Sequence, residues 1–399
     1  MFTNLPPVVD DPIESLFLRI YADPRADKLD LGIGVYRNEQ GQIPLFAAVR
    51  EAEQQILGTQ AHKGYLSPLG NLKYCQLMSQ LVLGADHVRL QGAGPVMAQT
   101  PGAGGALRVA AELIKQLRPN SRIWFSEPVW QHQIDFFRAA GLEICRYRYY
   151  QIESGQLQTE AMLQDLAGMR RDDVLMLHGC CHNPTGEDPP LWLWQQLAGL
   201  LHKTGALPLV DLAYQGFGEG IEADVAGLRE LAGSVPEMLL VVSSSKSFGI
   251  YRDRAGLLAV LHDNPAEADL LKVLLRDRIR GNYFMPPDHG AETIATILGD
   301  AKLNQLWRDE LDSVSQRIRT LRRLLRRELE LAVPGFDGTF LERQKGMFSC
   351  LPVSPAEQQR IENEFGIFML PHARLNFAAL AQSQAARVAL AFATVSKSR

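Results

Sequence analysis

Between about residues 45 and 313, short apolar runs typical of buried strands alternate with amphipathic helical segments. This alternation predicts an α/β fold in which a mostly parallel sheet has helices on both faces. Three of the runs lead directly into polar residues, and they occupy residues 173–177, 207–210 and 238–242. Ligands of open α/β sheets bind at the carboxyl ends of the strands, so we expect these polar residues to form a site.

Lys246 follows the third run and lies within Ser-Ser-Ser-Lys-Ser-Phe-Gly, residues 243–249. A lysine at the end of a buried strand can be desolvated, which makes its amine a nucleophile toward an aldehyde. Ser243 and Arg254, on either side of it, are residue types that bind a phosphate. An aldehyde and a phosphate on one small molecule suggest pyridoxal 5′-phosphate (PLP). A lone lysine is usually a surface residue, so this prediction depends on the rest of the chain.

A glycine-rich segment at residues 99–108 separates a predicted strand from a helix predicted to begin at residue 106. Its backbone amides can approach an anion, and the helix N-terminus adds its dipole. These amides belong to Gly102, Ala103 and Gly104. Leu107 stands where a dinucleotide-binding fingerprint has its third glycine, which argues against a NAD-dependent oxidoreductase. A tight turn without a ligand is the alternative.

The first run leads into His-Gly-Cys-Cys-His-Asn-Pro-Thr-Gly, residues 178–186. The amide of Asn183 could donate to a ring oxygen. A metal site is not expected, because the segment has neither a zinc-protease glutamate nor a second cysteine pair. Cys180 and Cys181 are interpreted as buried thiols without a chemical role.

Asp211 ends the second run, and a carboxylate buried there needs a cation. A pyridinium nitrogen would serve, and the protonated ring is the electron sink that PLP chemistry requires. Tyr214, three residues later, could donate to the ring's phenolate oxygen. An aspartate that only caps a helix is the alternative.

Together these segments resemble the aspartate and aromatic aminotransferases, which are fold-type I PLP enzymes of class I. The segments at residues 178–186 and 211–217 are highly specific for this group. The match continues through residues 11–12, 31–36, 64–66, 280–287, 346–349 and 374–377, and so covers nearly the whole chain. The resemblance implies a mostly parallel central sheet flanked by helices, with a smaller α+β domain.

The resemblance also implies roles for the matched residues. Lys246 bonds to the cofactor aldehyde and later moves the proton, while Asp211 pairs with the pyridine nitrogen. The other cofactor contacts are Asn183 and Tyr214 at the ring oxygen, Trp130 on the ring face, and Ser243, Arg254 and residues 102–104 at the phosphate.

On the substrate side, the resemblance implies that Arg374 binds the α-carboxylate and that Gly34, Trp130 and Asn183 line the same site. Arg280 and Tyr65 come from the second subunit in this family. Arg280 pairs with a distal carboxylate, and Tyr65, counted with the catalytic residues, reaches the phosphate. A homodimer with shared active sites is therefore expected.

Several positions depart from the family pattern. Gly104 replaces a phosphate-binding threonine or serine, and Gln133 replaces a histidine that usually backs the aspartate. The remaining departures are Ala103 for glycine, Phe284-Met285 for a small polar pair, His372-Ala373 for Ser-Gly, and Ile43 for threonine. They predict looser cofactor binding and a more apolar pocket that favours aromatic side chains over strict aspartate specificity.

The function implied is ping-pong transamination from aspartate or an aromatic L-amino acid to 2-oxoglutarate. A PLP-dependent β-lyase or decarboxylase on the same fold would use the same lysine and aspartate. A non-catalytic PLP-binding protein is disfavoured by intact Lys246, Asp211 and both arginines, and by the absence of an added DNA-binding segment.

The composition constrains function mainly by exclusion. The 399 residues carry a net charge of −4, so neither nucleic acid nor a membrane surface is implied as a partner. No apolar run reaches the length of a membrane helix, and the N-terminal residues do not resemble a signal peptide. Five scattered cysteines suggest a reducing compartment, and we expect a cytoplasmic protein.

Three regions are predicted: an N-terminal arm (1–10), a large PLP-binding domain (45–313), and a small domain (11–44 with 314–399). A long helix near 302–331 should join the two domains through an apolar stripe. Its arginines, at positions 317, 319, 322, 323, 326 and 327, are interrupted by acidic residues and are interpreted as a solvated face.

Overall fold

The computed structural model describes residues 11–91 and 94–396. The predicted N-terminal arm and the residues compared with a signal peptide therefore lie outside the described part. The strands are β1 (Leu29–Asp30), β2 (Val96–Pro101), β3 (Arg122–Glu127), β4 (Glu143–Arg148), β5 (Tyr150–Gln151), β6 (Gln156–Leu157), β7 (Val174–His178), β8 (Leu207–Leu212), β9 (Met238–Ser243), β10 (Ala255–Leu261), β11 (Phe348–Cys350), β12 (Ile367–Phe368) and β13 (Arg374–Asn376).

The helices cover both faces of the main sheet and continue into the C-terminal part. They are α1 (Pro12–Ala22), α2 (Ala47–Thr59), α3 (Leu72–Leu83), α4 (Gly102–Leu117), α5 (Gln131–Ala139), α6 (Thr159–Leu166), α7 (Leu191–Thr204), α8 (Ala226–Ser234), α9 (Ala268–Asn282), α10 (His289–Gly299), α11 (Ala301–Ala332), α12 (Thr339–Arg343), α13 (Pro355–Phe365) and α14 (Ala385–Ser396).

The main sheet has seven strands in the order β2-β10-β9-β8-β7-β3-β4. Only β10 runs antiparallel to its neighbours, and the other pairings are parallel. Every residue of β9 and β10 is buried, as expected for strands with helices on both faces. The predicted mostly parallel α/β fold is confirmed. Strands β7, β8 and β9 lie side by side, so their carboxyl ends bring three predicted site segments together.

The N-terminal and C-terminal parts of the chain meet in small sheets. Strand β1 pairs in parallel with β12, and β11 pairs antiparallel with β13. Asp11 caps α1 by accepting from two backbone amides of its first turn, as the Asp-Pro signal predicts. This arrangement places Arg374, the first residue of β13, beside the end of the main sheet.

Helix α11 matches the predicted long helix to within one residue at each end. Its predicted apolar stripe is buried, with Trp307 donating through its indole nitrogen to the carbonyl of Ser247. One part of the prediction is wrong, because Arg322 is 2% exposed and does not belong to a solvated face. In the described ranges, none of the helices combines the length and apolar character that a transmembrane segment requires.

Candidate active site

A cavity of about 210 Å³ lies at the carboxyl ends of β7, β8 and β9. It brings together most of the predicted site residues. Its lining consists of Ile13, Gly34, Ala103, Gly104, Trp130, Gln133, His178, Asn183, Asp211, Ala213, Tyr214, Ser243, Lys246, Arg254, Phe348 and Arg374. A larger cleft of about 720 Å³ adjoins it and shares Trp130, Asn183 and Arg374. The small cavity is therefore the inner end of a continuous opening.

Lys246 lies just beyond β9, with its Nζ 5.7 Å from the centre of the Tyr214 ring. Burial lowers the pKa of this amine to about 8, and the positive charges of Arg254 and Arg374 act in the same direction. The Asp211 carboxylate opposes the shift without cancelling it. Near neutral pH, an appreciable fraction of the amine is therefore unprotonated and nucleophilic.

Asp211 lies within β8, one residue before its end, and is 7% exposed. Its Oδ2 accepts a hydrogen bond from the Gln133 side chain, but its buried Oδ1 has no partner among residues 11–91 and 94–396. Burial raises the pKa of this carboxyl to about 6. A buried carboxylate oxygen without a donor is costly, so this atom marks a position for a cationic or N–H group.

The glycine-rich segment forms the first turn of α4, which begins at Gly102 and not at residue 106 as predicted. Amides of a helix's first turn have no partner within the helix and point along its axis. Gly102 has φ +69°, and a Cβ there would lie 2.5 Å from Nη2 of Arg254. Only glycine permits this approach, which places a guanidinium beside the free amides and forms an anion site.

The anion site includes a hydroxyl that the sequence prediction did not assign. Arg254 has φ 55° and donates from Nη1 to Oγ of Ser245, at 3.2 Å. The predicted Ser243 also lines the cavity. The run of three serines indicates hydroxyls near Lys246, but it does not show which of them face the guanidinium.

Arg374 is 5% exposed, and none of the carboxylates in the described ranges forms an ion pair with it. Nη1 donates to Oδ1 of Asn183 at 2.9 Å, Nη2 donates to the carbonyl of Gly32 at 2.7 Å, and Nε has no partner. The guanidinium lies over the Phe348 ring at 4.1 Å. Burial lowers its pKa to about 10, so it remains charged at neutral pH and available to a ligand's carboxylate.

Asn183 connects the two ends of the cavity. Its Oδ1 accepts from Arg374, while its Nδ2 donates to the Tyr214 hydroxyl at 3.4 Å. Burial raises the pKa of Tyr214, so the phenol stays protonated and can donate. An amide and a phenol thus lie together where a ligand oxygen could accept from both.

These features fit PLP. The unpartnered Oδ1 of Asp211 suits a protonated ring nitrogen, and the cradle formed by Gly102 and Arg254 suits a phosphate. The half-buried Trp130 supplies an aromatic face in the same cavity. Lys246 supplies the amine that an aldehyde requires.

Three predicted site residues do not line the cavity of their own chain: Gly102, which is buried at the start of α4, Tyr65 and Arg280. Tyr65 is 91% exposed, and Arg280, at the end of α9, is also exposed. Five residues that do line it were not assigned to the site from the sequence: Ile13, Gln133, His178, Ala213 and Phe348. Gln133 is recognisable in the sequence only as a departure from a family pattern, and Phe348 only as one member of a matched motif.

The histidines of the 178–186 segment are engaged by protein partners. His178 bonds to the amide of Asn183 and to Gln133, and His182 bonds to Ser126 and Thr185. Cys180, Cys181 and Asp224 lie close enough together to be considered as metal ligands. However, Asp224 already accepts three backbone hydrogen bonds. A hydrogen bond with Cys181, together with burial, raises the pKa of Cys180, and burial raises the pKa of Cys181. The cluster is more consistent with packing than with metal binding.

Comparison with known proteins is consistent with this geometry. The family model for aminotransferases of class I and II matches residues 26–392. The chain is 42% identical to the tyrosine aminotransferase of Rhizobium meliloti (strain 1021) over 99% of its own length and 100% of that protein. It is 38% identical to the aspartate aminotransferase of Escherichia coli (strain K12), covering 95% of this chain and 96% of that one.

Among solved structures, the aromatic-amino-acid aminotransferase of Burkholderia pseudomallei, covalently bound to pyridoxal phosphate, superposes with a TM-score of 0.96. The two proteins are 36% identical, and the alignment covers 99% of each chain. The likeness therefore extends over the whole molecule.

Proposed function

The chain belongs to the aminotransferases of class I and II, and we propose that its cavity at the ends of β7, β8 and β9 is the site of transamination. It is a PLP-dependent aminotransferase of the aspartate and aromatic type. It moves the amino group of an L-amino acid to 2-oxoglutarate in two half-reactions, the ping-pong scheme of the family.

One observation carries the assignment of this cavity. Three buried groups converge in it: the Lys246 amine, Oδ1 of Asp211, which has no hydrogen-bond partner among the described residues, and the Arg374 guanidinium, which forms no ion pair among them. Their chemistry matches an aldehyde, a ring nitrogen and a substrate carboxylate, respectively. We assign the remaining contacts as the resemblance implies, with Asn183 and Tyr214 at the ring oxygen, Trp130 on the ring face, and Ser243, Arg254 and residues 102–104 at the phosphate.

When bound, PLP supplies an electrophilic carbon and a protonated ring that withdraws electrons. Asp211 holds a negative charge against that ring and keeps its nitrogen protonated. Arg374 binds the substrate's α-carboxylate and thereby orients the Cα–H bond toward Lys246. With its amine free, Lys246 would accept the α-proton at Nζ and later return it.

We also propose a substrate range that includes aromatic side chains. Ile43 lies close to Lys246 together with Tyr36, Phe46 and Tyr251, and these side chains are packed too closely to leave space for a water molecule between them. Ile43 is half exposed and offers an apolar surface where the family pattern has threonine. An aromatic substrate side chain can bury this surface. A substrate with a distal carboxylate would instead bind Arg280 of a second subunit.

A homodimer with shared active sites is part of the proposal, because Tyr65 and Arg280 lie outside the cavity of their own chain. We further propose a large domain (45–313) and a small domain (11–44 with 314–399), supported by the pairing of β1 with β12. A cytoplasmic location is supported by the five free cysteines.

The absorbance spectrum of the PLP-loaded protein tests the function. We expect L-aspartate and L-phenylalanine, added separately, each to convert the aldehyde band to that of the amine form of the cofactor. Conversion by one donor alone would contradict a substrate range that includes both aspartate and aromatic amino acids. Product analysis distinguishes an aminotransferase from a β-lyase or decarboxylase, since only transamination yields keto acid and amino acid in equal amounts.

Lys246→Ala is the matched control for this experiment. The variant should still bind PLP but turn over negligibly, because it lacks the amine that moves the proton. Substantial residual transamination by this variant would contradict the role of Lys246.

A further inference from the structure

Gln133, on α5, forms a buried bridge behind Asp211. Its side chain is 1% exposed. The amide nitrogen donates to Oδ2 of Asp211, and the amide oxygen lies 3.0 Å from Nε2 of His178. The residue therefore fills the space behind the carboxylate, while Oδ1 of Asp211 has no hydrogen-bond partner in the described part of the chain.

The direction of this bridge follows from the backbone. The amide of Asn183 donates to Nδ1 of His178 at 3.1 Å, so Nδ1 must carry a lone pair and the ring proton must be on Nε2. Nε2–H then donates to Oε1 of Gln133. The Gln133 amide is thereby oriented with its NH₂ group toward Asp211, and the reversed amide would lose both contacts.

The bridge contains no charged member. A glutamine does not titrate, and burial lowers the pKa of His178 to about 4, so His178 is neutral near pH 7. Gln133 thus occupies Oδ2 with a neutral donor and leaves the negative charge of the carboxylate uncompensated on this side. The charge remains available to the group that meets Oδ1.

We propose that Gln133 is a positioning residue that fixes Asp211 so that Oδ1 is presented to the cofactor's ring nitrogen, with its own amide held in one orientation by His178. The inference rests on the proposed function of the cavity. Gln133 thus affects the contact to the ring nitrogen and has no general role in cofactor binding.

The test compares two ligands of the cofactor-free protein: PLP and an analogue with carbon in place of the ring nitrogen. Both carry the aldehyde and the phosphate, so the ratio of their dissociation constants isolates the contact to Asp211. Wild type should prefer PLP. Gln133→Met, which keeps the length of the side chain but forms neither hydrogen bond, should lose roughly tenfold in affinity for PLP and little for the analogue.

Two further variants keep the test decisive if Gln133→Met does not fold. Gln133→Asn retains the amide but is too short to reach both partners, so it should lose the preference for PLP. Gln133→His can donate to Asp211 and should therefore retain the preference for PLP over the analogue. Equal weakening of both ligands in the Met and Asn variants would indicate a merely structural role and overturn the proposal, as would an unchanged preference.

The same titration distinguishes failure of the proposed role of Gln133 from failure of the proposed function. A wild-type protein that binds neither ligand would overturn the assignment of the cavity to PLP. A wild-type protein that binds both equally would overturn the role of Asp211, and with it that of Gln133.

Discussion

At the scale of single residues, Gly104 is explained by a neighbour distant in sequence. The family usually has a threonine or serine there that binds the phosphate. In this chain a Cβ at Gly104 would lie 3.3 Å from Cζ of Phe136, closer than ordinary van der Waals contact. The aromatic ring would therefore have to shift by a few tenths of an ångström to admit a threonine at this position.

We predict that Gly104→Thr alone will not tighten PLP binding, because the new side chain must displace the Phe136 ring. Gly104→Thr combined with Phe136→Val should bind PLP about tenfold more tightly than wild type, since one hydrogen bond to a charged phosphate is gained without crowding. PLP retained after dialysis measures both effects. Phe136→Val alone is the control, and equal retention by the single and double Gly104 variants would show that the ring does not restrict the site.

Lys246 leads to a prediction about pH and stability. Its pKa is about 8 in the folded protein and 10.5 in its ordinary state. Between these values the unfolded chain binds a proton that the folded protein has released, so this lysine makes stability rise with pH through that window. Below pH 8 the folded protein holds a buried ammonium at a cost of up to about 3 kcal/mol.

Cofactor-free Lys246→Met should therefore unfold at a higher urea concentration than cofactor-free wild type at pH 7. The difference should shrink as the pH rises from 8 toward 10.5. Lys302→Met, at an exposed position of α11, is the control and should change little at either pH. A difference for Lys246→Met that does not vary with pH would contradict the lowered pKa.

At the scale of elements, α11 holds residues 341–349, beside the proposed substrate site, through the side chain of Arg322. The guanidinium of Arg322 donates to the carbonyls of Leu341, Lys345, Gly346 and Phe348 and to the hydroxyl of Ser349. It also lies over the Phe377 ring at 4.4 Å. Because the Phe348 ring packs against Arg374, the helix helps to position the arginine that we propose binds the substrate carboxylate.

Arg322→Met should lower the free energy of unfolding by on the order of 3 kcal/mol, since it leaves several buried acceptors without a donor. In the folded fraction, we expect KM for the amino donor to rise more than kcat falls. Arg322→Lys should be intermediate, because one ammonium cannot reach all five acceptors. Arg323→Met, on the exposed side of the same turn, is the control. Equal effects at positions 322 and 323 would contradict the role of the buried arginine.

The sequence predicts elements better than it predicts the side chains that cross between them. The central strands and α11 are recognisable because their apolar residues follow the period of the element. The start of α4 is not, because glycines that suggest a turn form the helix's first turn. Arg322 and Gln133 also escape prediction, since their burial depends on a loop or a strand far away in sequence.

At the scale of the whole molecule, two residues that we propose for the site lie away from the cavity of their own chain. The inner end of the site contains the lysine, the aspartate and Arg374, whereas Tyr65 and Arg280 are exposed on the same chain. Exposed apolar side chains accompany them, including Leu57 at 86% and Phe284 at 63% exposure. Symmetric association would bury such residues and bring the two missing groups to the partner's cavity.

Hybrid dimers test this arrangement. Lys246→Ala and Arg280→Ala chains, each inactive with L-aspartate by itself, can be co-expressed with different affinity tags and purified as the mixed dimer. If Arg280 serves the partner's cavity, one site receives both defects and the other none, so the hybrid should have about half the wild-type activity. If Arg280 serves its own cavity, each site retains one defect and the hybrid stays as inactive as its parents. The half-reaction with L-phenylalanine, followed by absorbance without 2-oxoglutarate, is the internal control, because Arg280→Ala should spare a donor without a distal carboxylate.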